Sequence, residues 1–198
     1  MGPLKNILTK LYSLRMRLSR MTGIGMKTLA AKSNTTPVVS FHSLHAKSNN
    51  GQLIDFKVYC GKKILLVNLA SQCGYTPQYA ELQKLQDQYS KDLIILGFPS
   101  NDFAKQEPGN DEDIESFCRI NYGITFTLFR KDQVTGPNSQ PVYQWLSRAA
   151  LNGWNNQEPT WNFCKYLVNE NGQLLYFYSS SISPLSDTIV NILKNQVL

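Results

Sequence analysis

The 198-residue chain holds 20 Lys and Arg against 14 Asp and Glu, for a formal net charge of +6. Seven of those basic residues and no acid lie between Met1 and Lys32, which leaves 13 basic against 14 acidic residues in the rest. The positive excess therefore belongs to an N-terminal arm, and it gives no ground for nucleic-acid binding by the body. With 42% hydrophobic and 17% charged residues, the composition is that of one soluble globular domain with a sizeable core. Four cysteines (Cys60, Cys73, Cys118 and Cys164) are widely spaced, with no C-x-x-C and no paired His. That pattern excludes a zinc site and a dense disulfide scaffold, and it fits a reducing compartment.

From Met1 to about Thr36, Leu4, Ile7, Leu8, Leu11, Leu14 and Leu18 recur at helical spacing, with most of the basic residues opposite and Arg15 inside the apolar face. A basic amphipathic segment of this kind serves as a solvated extension, as a peripheral membrane contact through residues 1–32, or as an organellar transit peptide. No apolar run is long enough to span a bilayer, and the start lacks the uninterrupted apolar centre of a secretory signal peptide. Cytoplasmic location is expected, with organelle targeting and membrane association as alternatives. The division is thus an extension over 1–36 and a folded domain over 37–198, with Lys32 to Pro37 as linker.

Two alternating segments, Ser40 to Ala46 and Gln52 to Tyr59, flank Asn49-Asn50-Gly51 and predict a β-hairpin. His42 and His45 fall in it, three apart and so on opposite faces of a strand, which argues against a joint metal site. The apolar run Ile64 to Ala70, broken only by Asn68, predicts a buried strand. It feeds a polar loop holding Cys73, then Thr76-Pro77 and the helical spacing Tyr79, Leu82, Leu85, so a helix is predicted over Pro77 to Tyr89 with Thr76 as its cap. Small and polar neighbours, Ser71, Gln72, Gly74 and Thr76, describe an exposed turn. A thiol there meets free backbone N–H groups and the positive end of the helix dipole, both of which favour thiolate. Cys73 is the candidate nucleophile, with a packed, structural cysteine as the alternative.

Leu93 to Phe98 predicts a second buried strand parallel to the first. Beyond a polar loop, Asp111 to about Asn121 predicts a helix with acids in its first turn. Ile124 to Phe129 is extended, and Pro141 to Leu151 is helical. Asn162 to Val168 and Gln173 to Tyr178 form a second hairpin around Asn169-Glu170-Asn171-Gly172. Ser183-Pro184 opens a last helix with Leu185, Ile189, Ile192 and Leu193 as its buried stripe. This order is that of an α/β, thioredoxin-like domain, a mixed sheet flanked by helices.

Three segments, V-N-L-A-S-Q-C-G-Y-T, L-G-F-P-S-N-D-F-A-K-Q-E-P-G and W-N-F-C-K-Y-L, with F-C-R-I-N-Y-G-I-T-F between the last two, resemble in order the signature segments of the glutathione peroxidase family. The resemblance runs from Phe41 to the C-terminus and leaves out the arm. It implies a cysteine-based, non-selenium peroxidase that reduces hydrogen peroxide or organic hydroperoxides. Cys73 stands at the peroxide-attacking position, and Gln106, Trp161 and Asn162 stand at the positions of the neutral polar groups around it. By spacing alone Gln106 reads as a loop side chain, Trp161 as a core aromatic and Asn162 as a turn residue. The family further implies resolution of a sulfenic acid by a second thiol, with thioredoxin or glutathione as reducing co-substrate and no bound cofactor or metal. Cys118 lies in the helix where a resolving cysteine is expected, but it shares a face with Ile114 and Phe117, so packing explains it equally well. Cys60 and Cys164 read as structural. Ala104-Lys105 replaces glycines usual in the family. A redox relay that passes its disulfide to a partner protein is the alternative function.

Overall fold

The computed structural model describes residues 26–32 and 35–194. The segment 1–25, on which the amphipathic reading of the arm rests, lies outside them.

Among the described residues, eight strands build two sheets. The main sheet has the order β1-β8-β7-β4-β5-β6, from β1 (Thr28–Ala30), β4 (Lys63–Leu69), β5 (Leu93–Pro99), β6 (Thr127–Leu128), β7 (Lys165–Val168) and β8 (Leu174–Tyr178). β4 runs parallel to β5, with Val67 opposite Gly97, and antiparallel to β7, with Val67 opposite Lys165. Helices α1 (Gln78–Tyr89), α2 (Asp111–Tyr122), α3 (Pro141–Leu146), α4 (Ala149–Asn152) and α5 (Asp187–Lys194) flank it. The short hairpin β2 (His45–Lys47) and β3 (Leu53–Asp55) forms the second sheet.

The alternation of β4 divides the core. Leu65, Val67 and Leu69 face α1, α2 and α5 through Tyr79, Leu82, Leu85, Ile114, Ile189 and Leu193. Ile64 and Leu66 face an aromatic layer of Phe41, Phe56, Phe98, Phe129, Tyr143 and Trp145. Each such side chain contributes about 1.5–3 kcal/mol when fully buried, so the two layers hold the central strands on both faces. Gly97 admits no side chain between them, because a Cβ there would stand 2.6 Å from Leu69 Cδ1 and 2.9 Å from Leu128 Cδ2.

Five features differ from the expectations. Thr28–Ala30, assigned to the extension, pairs antiparallel with β8 as an edge of the main sheet. The first hairpin is shorter than its pattern, because Phe41–Ser43 and Phe56–Tyr59 coil into 3-10 turns, the second begun by Asp55 accepting from Lys57 N at 2.9 Å. The helix expected over Pro141 to Leu151 breaks after Leu146, where the Ser147 hydroxyl donates to Tyr143 O at 2.6 Å and Arg148 turns extended. β7 starts at Lys165, because Phe163 adopts a left-handed φ of 66°. The last helix starts at Asp187, because Ser183 Oγ accepts from Leu185 N at 3.1 Å and spends the preceding residues on a turn.

Candidate active site

Cys73 follows β4 in a tight loop. Thr76, expected to cap α1, is used otherwise. Its Oγ1 accepts from Cys73 N at 2.9 Å and donates to Ala70 O at 2.9 Å, and Pro77 takes the capping position. Tyr75 N donates to Cys73 Sγ at 3.4 Å. This loop is less open than its composition implies. Cys73 is 8% exposed and Tyr75 4%, and the Thr76 hydroxyl ties the loop back to Ala70 just past the end of β4. The thiol sits at the rim of the core, with exposed Gln72 and half-covered Ser71 and Gly74 beside it.

The second segment is brought against this loop by main-chain bonds. Gln72 N donates to Gln106 O at 3.0 Å. Directly before Gln106, Ala104 and Lys105 hold left-handed φ values of 51° and 53°. A side chain in that conformation costs about 1–2 kcal/mol per residue relative to glycine-like freedom, so the loop keeps its shape against local strain.

The third segment closes on the second. Asn162 Nδ2 donates to Gln106 Oε1 at 2.9 Å, which occupies the carboxamide oxygen of Gln106 and leaves its Nε2 hydrogens to donate elsewhere. Trp161 packs against Phe103 of the same loop, with ring centroids 5.8 Å apart. Asn162 is buried, and its Oδ1 has no hydrogen-bond partner among the described residues. The geometry therefore assembles Gln106, Trp161 and Asn162 as one neutral group beside the Cys73 loop. Neutral donors can stabilise a thiolate without quenching it.

Cys118 occupies a different setting. It is fully buried on α2, its thiol lies against the Tyr79 hydroxyl, and burial pushes it up to about 12. Cys164 is buried between Thr160 Oγ1 at 3.6 Å and Ser180 Oγ at 3.4 Å, as a packed residue should be. Cys60 departs from the structural expectation, since it is exposed at the end of a 3-10 turn.

Three residues that organise the site were not singled out by the sequence pattern. Asn68, fully buried in β4, donates through Nδ2 to Trp161 O at 2.9 Å, and its main-chain carbonyl accepts from Phe163 N at 2.6 Å. Its signal was the polar letter that interrupts the apolar run from Ile64 to Ala70. Ser71 and Glu107 bond each other across the two loops, Ser71 N to Glu107 Oε2 at 2.9 Å and Ser71 Oγ to Glu107 Oε1 at 2.7 Å.

Comparison with known proteins identifies the family. A family-level match to "Glutathione peroxidase" spans residues 41–147. Among curated relatives, "Glutathione peroxidase-like peroxiredoxin 2" of Saccharomyces cerevisiae is 45% identical over 150 residues, 74% of this chain and 91% of its own. "Glutathione peroxidase homolog BsaA" of Bacillus subtilis is 38% identical over 159 residues, 79% of this chain and 99% of its own. Among solved structures, the apo form of Trgpx superposes with a TM-score of 0.60 at 29% identity, covering 80% of this chain and 97% of that one. The thioredoxin-like fold and the peroxidase reading both follow, and the relay alternative gains no support from these relatives. The chain belongs to the glutathione peroxidase family and is a peroxidase, an oxidoreductase that takes peroxide as its acceptor.

Proposed function

We propose that Cys73 is the nucleophile of this thiol peroxidase and that Gln106, Trp161 and Asn162 form its polar surround. The observation that carries the assignment is the Asn162 to Gln106 bond at 2.9 Å, which ties two distant segments into one donor group next to the loop of the thiol. The Cys73 thiolate attacks the nearer peroxide oxygen. An S–O bond forms, the O–O bond breaks, the sulfur loses two electrons, and the leaving oxygen departs as water or alcohol after taking one proton. In this reading the carboxamide hydrogens of Gln106 stabilise the charge that develops on that oxygen. The product on the protein is a sulfenic acid, which must be met by a second thiol before further oxidation.

Cys118 is the second thiol of this reading. It borders the same core cluster as Cys73, and its sulfur displaces the sulfenic hydroxyl as water to leave a disulfide. A thioredoxin-type protein then reduces that disulfide. Favouring this over glutathione, the loops carrying Cys73 and Gln106 expose no cluster of basic side chains to hold the carboxylates of glutathione, Lys105 being the one exposed cation within residues 71–76 and 103–109. The basic arm is read as an anchor or address lying outside the catalytic unit.

Intact mass and peptide mapping after one equivalent of peroxide test the whole scheme. A Cys73–Cys118 bridge is expected, and Cys73→Ser should abolish peroxide consumption with every reductant. Turnover retained by Cys73→Ser refutes the nucleophile, and a lasting Cys73 sulfenic acid refutes the role of Cys118. Gln106→Ala should slow oxidation of Cys73 by about 10- to 100-fold with little change in melting temperature.

A further inference from the structure

Glu107 is 1% exposed, yet no Lys or Arg forms an ion pair with it among the described residues. A buried carboxylate without an ion pair is costly unless hydrogen bonds compensate. Here they do so in one place. Both carboxylate oxygens are taken by Ser71, Oε2 by its N–H at 2.9 Å and Oε1 by its hydroxyl at 2.7 Å. Ser71 lies two residues before Cys73, and Glu107 follows Gln106 directly. The main chain of Glu107 is held as well, its N–H donating to Asn101 Oδ1 at 3.0 Å and its carbonyl accepting from Lys131 Nζ at 3.5 Å. Together with the Gln72 N to Gln106 O bond at 3.0 Å, these contacts join the nucleophile loop to the carboxamide loop next to two left-handed residues that would otherwise relax.

We propose, resting on the reading of Cys73 as nucleophile, that Glu107 is a positioning residue whose ionised carboxylate grips Ser71 and so sets the spacing between the Cys73 loop and the Gln106 carboxamide. An ionised carboxylate accepts both Ser71 hydrogens at once. Once protonated, it gives up one acceptor face to its own O–H, and the grip loosens. Burial raises the pKa of Glu107 above its ordinary value, against the opposing pull of Ser71 and of Lys131. The titratable groups that face it are Lys131 from the loop after β6, Tyr79 from α1 and Cys118 from α2. The grip is therefore lost as pH falls through that raised value, at milder acidity than an exposed Glu would require.

The test is stopped-flow oxidation of the full-length reduced protein by hydrogen peroxide, with the thiolate fraction measured by ultraviolet absorbance at each pH. Glu107→Gln, which sets an amide donor against Ser71, is expected to lower the second-order constant by about tenfold at neutral pH. Ser71→Ala, which removes only the hydroxyl, should lower it by about threefold and covers the case in which Glu107→Gln fails to fold. Divided by thiolate fraction, the wild-type constant should still fall on acidification, whereas that of Glu107→Gln should be low and flat. A merely structural contact would scale the constant without changing this shape. Wild-type rates in both variants, or an unchanged acidic fall in Glu107→Gln, overturn the proposal. Cys73→Ser is run in parallel. If it is inactive while the other two variants match wild type, only the positioning role fails, and if it turns over peroxide, the nucleophile reading itself has failed.

Discussion

Weakening the start of α2 should make the second half of the catalytic cycle faster. The reason lies in Cys118, which is fully buried and has its thiol pushed up to about 12. At pH 7 that leaves about one thiol in 10⁵ ionised while the helix is closed. With Cys118 as the resolving thiol proposed above, attack on a Cys73 sulfenic acid waits for α2 to open and release the thiol to water. α2 begins with a reciprocal cap, Asn110 Oδ1 accepting from Asp113 N at 2.9 Å and Asp113 Oδ2 accepting from Asn110 N at 3.2 Å. Asn110→Ala removes the side-chain half of this box at a cost of about 1 kcal/mol. That amounts to a roughly fivefold gain in the open population. Rapid mixing with one equivalent of peroxide, quenching with a thiol-alkylating reagent and weighing the products separates the two steps. The first, sulfenic acid formation, should be unchanged, and the second, disulfide formation, should run about fivefold faster. An unchanged or slower second step would show that opening of α2 does not limit resolution, and the argument from burial would fall with it.

Asn68→Leu should lower stability by about 2–3 kcal/mol, since the buried carbonyl of Trp161 loses its donor, and should slow peroxide reduction as Trp161 shifts; denaturant unfolding and peroxide kinetics on one preparation check both. Ala104→Gly should raise stability by about 1 kcal/mol by relieving its left-handed φ of 51°, read as a higher unfolding midpoint with activity retained. Removing residues 2–25 should leave the melting temperature and activity in place, whereas removing residues 2–36 takes β1 away and should lower both. The shorter truncation is accordingly the one for cell fractionation, where an unchanged soluble distribution would remove the membrane-contact reading of the arm.

The central α/β frame was readable because its signals are local. β4 carries an apolar run broken only by Asn68, β5 is a continuous apolar run, α2 has an acidic first turn, and Asn169 to Gly172 marks a hairpin. Cys73 was legible from its polar loop between a buried strand and a helix, whereas Gln106, Trp161 and Asn162 were reachable only through the resemblance, because each residue type has a commoner structural use and their meeting depends on contacts across more than fifty positions, as in the Asn162 to Gln106 bond. What stayed hidden has a shared physical cause. Thr76 looks like a cap, but the backbone of its own loop competes for the hydroxyl. Glu107 and Ser71 look like surface residues until the fold places their loops together. Thr28–Ala30 carries no strand pattern strong enough to stand out from a basic arm, and the partner that makes it a strand lies some 150 residues away in β8.

That short segment has a further bearing on how the molecule behaves in company. Sheet margins left open invite recruitment of foreign chains through their unmatched backbone groups. With Thr28 to Ala30 seated beside Tyr176 to Tyr178, the tyrosine-bearing margin is already shielded by a strand of the same chain. Proteolytic trimming a few positions past Lys27 would therefore do more than shorten a tail: it would uncover a surface prone to self-association, and oligomers growing with time after such a cut would be its visible sign.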